Sequence, residues 1–110
     1  MRVHWTNNAL KHLLDIYEYI AQNSSFYAQR VVDRLTKRSE QIASFPMSGR
    51  NVQEYYAEDI RELIEKPYRV IYRIKPDQID VLAVVHCARL LSLDIFAGRI
   101  KENLGSAGRP

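Results

Sequence analysis

Three stretches of β-type sequence separated by very short turns restrict the fold of this 110-residue chain more than any other feature. The stretches are residues 60–65, 68–74 and 79–89, and each is rich in β-branched or aromatic residues. Lys66-Pro67 separates the first two, and a four-residue turn at 75–78 separates the last two. Strands joined by turns this short pair antiparallel, because a parallel pair needs a crossover of a dozen or more residues. The sequence therefore predicts a three-stranded antiparallel meander.

A short strand and two helices are predicted before the meander. Residues 2–5 alternate between polar and apolar, and Thr6 is a suitable N-cap for a helix over 7–22. A polar break at 22–25 precedes a second helix that ends before Pro46, so the two helices should form an antiparallel hairpin. The segment 50–59 has no clear period and is predicted to be a loop. The apolar stripes consist of Leu10, Leu13, Leu14, Tyr17, Ile20 and Ala21 on the first helix, and of Ala28, Val31, Val32, Leu35, Ile42 and Phe45, interrupted by Ser39, on the second.

The order of these elements predicts an α+β fold in which the helical hairpin covers one face of a single sheet. We expect one domain over residues 1–104 and a frayed tail over 105–110. On the middle strand Tyr68, Val70, Tyr72 and Ile74 share the helix-covered face, because side chains alternate along a strand. Arg69 and Arg73 then point the other way, and we expect them to be exposed. A solvated outer face on an antiparallel sheet would explain both arginines without any function.

Composition and motif content exclude several classes of function. No apolar run approaches the ~20 residues of a membrane span, and the N-terminus lacks the apolar stretch of a signal peptide, so a cytoplasmic protein is expected. His4, His12 and His86 are scattered without the spacing of a metal site, so neither a metal nor a cofactor is expected. The net charge of +3 fits an acidic partner of either protein or nucleic acid. A basic row at Arg30, Arg34, Lys37 and Arg38 lies opposite the second apolar stripe and is typical of a solvated helix face.

Four motifs in order give the chain a family resemblance. "FPMSGR", "IREL", "PYRVIYRI" and "VLAVVHCARLL" follow the helical pattern, and together they resemble the ParE branch of the RelE/ParE superfamily over residues 3–95. These proteins are the toxins of bacterial type II toxin–antitoxin modules, which act in plasmid stabilisation and growth arrest. The resemblance implies a hetero-oligomer with a ParD-like antitoxin whose C-terminal segment wraps across the toxin as helix and strand. DNA binding normally belongs to the antitoxin in such modules, so direct DNA binding by this chain is not expected.

The superfamily contains two mechanisms, and the residues favour one of them. ParE-like toxins inhibit DNA gyrase, whereas RelE-like toxins cut messenger RNA on the ribosome. Arg69 and Arg89 match arginine positions of the ribonucleases, but Ile60, Arg61 and Glu62 stand where those enzymes place lysines, and Ile95 or Phe96 stands at the C-terminal tyrosine. Arginine cannot act as the general base, and His86, which has a suitable pKa, lies on the opposite strand parity from Arg89.

Gyrase inhibition is therefore the favoured function. A ribosome-dependent ribonuclease using Arg69, Arg89 and His86 is the first alternative, and a non-toxic binding or regulatory module on the same fold is the second. We expect an antitoxin surface at Arg69, Arg73 and Arg61, whose guanidinium groups suit carboxylates, and at the helix residues Tyr17 and Tyr27. Basic and apolar side chains near the C-terminus suggest a gyrase surface that consists of Arg89, Phe96, Arg99 and Lys101.

Overall fold

A computed structural model describes residues 1–54 and 57–88 and confirms the predicted fold class. Its sheet has the strand order β1-β5-β4-β3-β2, with β1 parallel to β5 and the other neighbours antiparallel. The predicted domain end at residue 104 and the tail lie outside the described residues. The elements are β1 (Arg2–Trp5), α1 (Asn7–Ala21), α2 (Ser25–Ser44), a 3-10 turn (Pro46–Ser48), β2 (Arg50–Asn51), β3 (Ile60–Glu65), β4 (Tyr68–Ile74) and β5 (Gln78–His86).

Two elements differ from the sequence prediction. The segment 50–59 contains strand β2, which pairs with β3 and was predicted to be loop. A two-residue polar strand has no periodicity that a sequence pattern can detect. Strand β5 ends at His86, three residues before the predicted end at Arg89.

Local hydrogen bonds set where both helices begin, as the polar residues before them predict. The Thr6 hydroxyl accepts a hydrogen bond from the Ala9 amide at 3.2 Å and donates one to the Val81 carbonyl at 2.8 Å. The same residue therefore caps α1 and ties its first turn to strand β5. Ser24 caps α2 by accepting a hydrogen bond from the Tyr27 amide at 3.0 Å.

The hairpin buries a narrower set of residues than the two stripes suggested. On α1 the residues packed on the sheet are Ala9, Leu13, Ile16 and Ile20, whereas Leu10 and Leu14 are exposed. The expectation that those two leucines are core is wrong, because the apolar surface of α1 is wider than its contact with the sheet. On α2 the buried residues are Ala28, Val31, Leu35, Ser39 and Ile42, and Phe45 is exposed. Ser39 is tolerated in this row because its hydroxyl donates to the Thr36 carbonyl at 2.7 Å.

Both faces of the sheet carry buried apolar residues. The face away from the helices holds a cluster of Ile60, Ile71, Leu82 and Ala83, covered by Val52 from the segment after β2. Leu82 and Ala83 both reach this cluster because the β4–β5 register shifts between Ile71 and Tyr72. This outer face is therefore partly a second core and not simply a solvated surface. In the described part of the chain, neither helix combines the length and apolar character that crossing a bilayer requires.

Candidate functional site

Arg69 lies at the centre of a buried ionic cluster on the outer face of the sheet. Its side chain donates to Glu62 Oε1 from Nε at 2.7 Å, and to Glu54 Oε2 and Oε1 from Nη1 and Nη2, each at 2.8 Å. Arg50 donates from Nε to the second oxygen of Glu62 at 2.7 Å. Arg69 is 6% exposed and Glu62 is 1% exposed, so the expectation of an exposed Arg69 is wrong.

Arg69 can be buried because carboxylates from two other segments of the chain pair with its guanidinium group. Glu62 lies on the neighbouring strand β3, and Glu54 comes from the segment after β2. Hydrogen bonds to Glu54, opposed by desolvation and reinforced by Glu62, raise the pKa of Arg69. Two carboxylates thus occupy the guanidinium fork that would otherwise bind a phosphate or an antitoxin carboxylate.

The other two arginines of the predicted antitoxin surface lie in different environments. Arg73 shares the outer face with Arg69 and donates from Nε to Asp59 Oδ2 at 3.1 Å. Arg61 is paired across the strands with Tyr72 and so faces the helices, where its Nη1 donates to the Gly49 carbonyl at 2.8 Å. The Nε of Arg61 is buried without a hydrogen-bond partner among the described residues. The three arginines therefore do not form one surface, because Arg61 faces the helices whereas Arg69 and Arg73 face the outer side of the sheet.

Of the alternative ribonuclease site the structure describes Arg69 and His86, and it places them on opposite faces of the sheet. His86 pairs across the strands with Tyr68 and faces the helices, whereas Arg69 pairs with Val85 and faces the outer side. His86 is exposed, and its Nδ1 accepts a hydrogen bond from the Ala88 amide at 3.1 Å. Arg89 lies outside the described residues. The parity argument from the sequence compared His86 with Arg89, so it stays a prediction.

A cluster of aromatic side chains surrounds the hairpin bend and adjoins His86. Tyr19, Phe26 and Tyr27 are exposed, and Tyr17 is half-buried. The ring centroids of Tyr68 and His86 lie 5.9 Å apart, and the two rings pack edge to face. Burial, followed by the neighbouring Tyr27 and Tyr19, raises the pKa of Tyr68. We call Tyr19, Tyr27, Tyr68 and His86 the bend surface. Sequence reasoning assigned Tyr27 to the antitoxin surface and His86 only to the alternative ribonuclease site, and it did not single out Tyr68, because only strand pairing brings Tyr68 and His86 to the hairpin.

An open cavity of about 460 Å³ lies beside the bend surface. Its lining includes His12, Asp15, Ile16 and Val84 besides Tyr19, Tyr68 and His86. His12 Nδ1 accepts the Val84 amide at 3.1 Å, which orients the imidazole ring against β5. The apolar and aromatic part of this lining suits an apolar side chain of a protein partner. Of the residues described, no three His, Cys, Asp or Glu side chains are grouped so that they could hold a metal ion.

A second ionic cluster lies at the opposite edge of the outer face. Asp80 on β5 is buried and accepts hydrogen bonds from Gln78 at 2.7 Å and Lys75 at 3.2 Å, and His4 lies 3.4 Å away. Burial alone would raise the pKa of Asp80, but the hydrogen bonds from Gln78 and Lys75, the Lys75 charge and the contact with His4 outweigh it. The net pKa of Asp80 is therefore lowered.

This lowered pKa predicts a pH-dependent contribution to stability. Because the folded pKa lies below the ordinary value of 3.8, ionised Asp80 stabilises the fold above about pH 4, and the contribution disappears as the pH falls through the folded pKa. We expect Asp80→Asn to lower the free energy of unfolding at pH 7 and to approach the wild type below about pH 3. Urea unfolding across this pH range measures it. Asp77→Asn, in the exposed turn nearby, is the control, and an equal pH profile for both variants would contradict the prediction.

Comparison with known proteins places this fold in a family. The family of ParE toxins of the type II toxin-antitoxin system parDE matches residues 3–91. Y4kP of Sinorhizobium fredii is 36% identical over 87 residues, which cover 77% of this chain and 86% of that protein. Toxin RelE2 of Caulobacter vibrioides is 33% identical over 90 residues, which cover 81% of this chain and 98% of the toxin.

The fold is also similar to that of a chain in the chromosomal ParDE toxin–antitoxin system from P. aeruginosa. The TM-score is 0.66 at 21% identity, and the similarity covers 78% of this chain and 95% of that one. The chain belongs to the ParE toxin family of type II toxin–antitoxin systems, within the RelE/ParE superfamily. The resemblance seen in the sequence motifs is thereby confirmed.

Proposed function

We propose that this toxin inhibits DNA gyrase and is held inactive in the cytoplasm by a ParD-like antitoxin. Membership of the ParE family supports the target, since ParE-like toxins are gyrase inhibitors. The observation that carries the choice over RNA cleavage is the saturation of Arg69 by Glu54 and Glu62. An arginine that stabilises a phosphate in a transition state must present its fork to that phosphate, whereas Arg69 is buried with its fork occupied.

The antitoxin surface that we propose combines the bend surface with Arg73 on the outer face. Exposed Tyr27 and half-buried Tyr17 supply aromatic anchors, and the cavity lined by Tyr19, Tyr68 and His86 accepts an apolar side chain. Arg73 remains part of the proposal because it is partly exposed and its Asp59 partner is an exchangeable surface carboxylate. Arg69 and Arg61 are not proposed to contact the antitoxin directly. They hold the sheet to the segment after α2 instead. The proposed gyrase residues Arg89, Phe96, Arg99 and Lys101 lie outside the described residues.

Supercoiling of relaxed plasmid by purified gyrase tests the proposed target. We expect the toxin to abolish supercoiling and to trap cleavage complexes, and we expect the cognate antitoxin to restore activity. The control is toxin premixed with its antitoxin, which distinguishes specific inhibition from effects of a basic protein on DNA. Full supercoiling activity at a large molar excess of folded toxin would contradict the proposal.

The alternative is ribosome-dependent cleavage of messenger RNA. The 33% identity to Toxin RelE2 favours this alternative. It would depend on His86, since an exposed imidazole can act as a general acid or base. His86→Asn preserves a hydrogen-bond acceptor for Ala88 and removes the imidazole. If the toxin cleaves ribosome-bound RNA, this variant should do so about 100-fold more slowly or worse. A toxin that is harmless when expressed without antitoxin would instead support the non-toxic binding module.

A further inference from the structure

The outer face of α2 carries aromatic residues at both ends and cations between them. Phe26, Arg30, Arg34, Lys37 and Gln41 follow one another at intervals of three or four residues and so lie on one side of the helix, and Phe45 follows at its C-cap. We call these six residues the α2 outer face. It is opposite the buried row that packs on the sheet. At 1.5 Å per residue it extends for about 28 Å.

Its three central cations are not neutralised by any residue within 1–54 and 57–88. Arg30, Arg34 and Lys37 are exposed, and none of them forms an ion pair with any residue that the structure describes. The carboxylates on the flank of the helix are those of Asp33 and Glu40, and Asp33 accepts a hydrogen bond from Gln29. An incoming carboxylate could therefore pair with these cations without breaking an existing ion pair.

The aromatic ends distinguish this face from an ordinary solvated helix surface. Phe26 is 72% exposed and carries the Arg30 guanidinium 5.8 Å above its ring centre. Phe45 is 68% exposed and borders an open cleft of about 510 Å³ between α2 and β3. Lys37, Arg38, Glu40 and Gln41 also line the cleft, and Leu63 contributes apolar surface. Exposed aromatic rings at the two ends of a cationic helix face can each anchor a partner segment that spans the face.

We propose that the α2 outer face binds an elongated acidic segment of a partner protein, with an apolar side chain of that segment in the cleft beside Phe45. Charge complementarity with the unpaired cations supports the acidic character. The length of the face requires an extended or helical segment. The phosphate backbone of DNA would use the cations but not the aromatic ends and the cleft. Arginine and aromatic residues such as phenylalanine are enriched at protein–protein interfaces.

Binding of two synthetic peptides tests the proposal directly, without reference to gyrase. The first is a fluorescent 18-residue peptide of alternating glutamate and serine, and the second carries an added terminal leucine. The test variant is Arg30→Gln/Arg34→Gln/Lys37→Gln. The control variant, Arg2→Gln/Lys11→Gln/Lys66→Gln, removes the same charge from exposed cations elsewhere. We expect the test variant to bind both peptides about tenfold more weakly, and the control to stay within about twofold.

The leucine arm and a DNA competitor decide the remaining points. Phe45→Ser should weaken binding of the leucine peptide only, because the other peptide has no side chain for the cleft. Equal loss of affinity in the two triple variants would show that only overall charge matters and would overturn the proposal. Tighter binding of a short DNA duplex than of either peptide, lost in the same test variant, would assign the face to nucleic acid instead.

Discussion

Arg69→Met is expected to destabilise the fold by about 3–5 kcal/mol, because it leaves Glu62 and Glu54 without their main counter-charge. Glu62 is 1% exposed, so its charge cannot be hydrated in place, and Arg50 alone neutralises one of its oxygens. Chemical denaturation at pH 7 measures the change. A loss of this size is a large part of the stability of a domain of this length.

Arg73→Met is the matched control for this experiment. Arg73 lies on the same strand and face, but its pair with Asp59 is more exposed and should contribute less than about 1 kcal/mol. The triple variant Arg69→Met/Glu62→Leu/Glu54→Leu tests the cause, because removal of the whole cluster should recover much of the loss. Equal destabilisation by Arg69→Met and Arg73→Met would contradict the account of Arg69 as the centre of a buried cluster.

Gly49→Ala is expected to destabilise the fold by about 3 kcal/mol through overpacking. A methyl group at this position would overlap the Tyr72 hydroxyl and lie 2.7 Å from the Glu62 carbonyl oxygen. The backbone of Gly49 has φ of −76°, so space and not backbone conformation requires glycine here. The Gly49 amide also donates to the Tyr72 hydroxyl at 2.9 Å, which donates in turn to the Pro46 carbonyl at 2.7 Å. Burial raises the pKa of Tyr72, which keeps that hydroxyl protonated.

A double-mutant cycle with Tyr72→Phe provides the control for the glycine prediction. Tyr72→Phe alone should cost about 1–3 kcal/mol, because two buried backbone groups lose their partner. In combination with Gly49→Ala it should cost less than the sum, since the atom that the methyl group overlaps is gone. Strict additivity, or a Gly49→Ala variant as stable as the wild type, would show that the turn can shift and that the close packing is not essential.

Both predictions concern the segment that connects α2 to the sheet. Together they give a structural role to residues of the sequence motifs that resemble the family. In "FPMSGR" the glycine gives the room in which Tyr72 of "PYRVIYRI" binds the turn. The glutamate of "IREL" and the first arginine of "PYRVIYRI" form the core of the buried cluster. Arg69, which matches a ribonuclease position in the sequence, thus serves the architecture here and is a poor guide to activity.

The strand directions and helix starts of this protein could be predicted from its sequence because local interactions set them. The short turns at 66–67 and 75–78 enforce antiparallel strands, and Thr6 and Ser24 mark the helix starts, because each signal depends on residues only a few positions apart. The alternation on β4 also assigned Tyr72 to the helix-covered core and separated it from Arg69.

What Arg69 does was decided by the tertiary structure alone. Its partners Glu62 and Glu54 lie 7 and 15 positions earlier in the chain, and no periodicity relates them to it. The exposure of Leu10 and Leu14 likewise depends on which side of α1 packs on the sheet. Sequence patterns record which residues can be buried, whereas the packing of distant segments determines which of them are, and which charges are neutralised in the process.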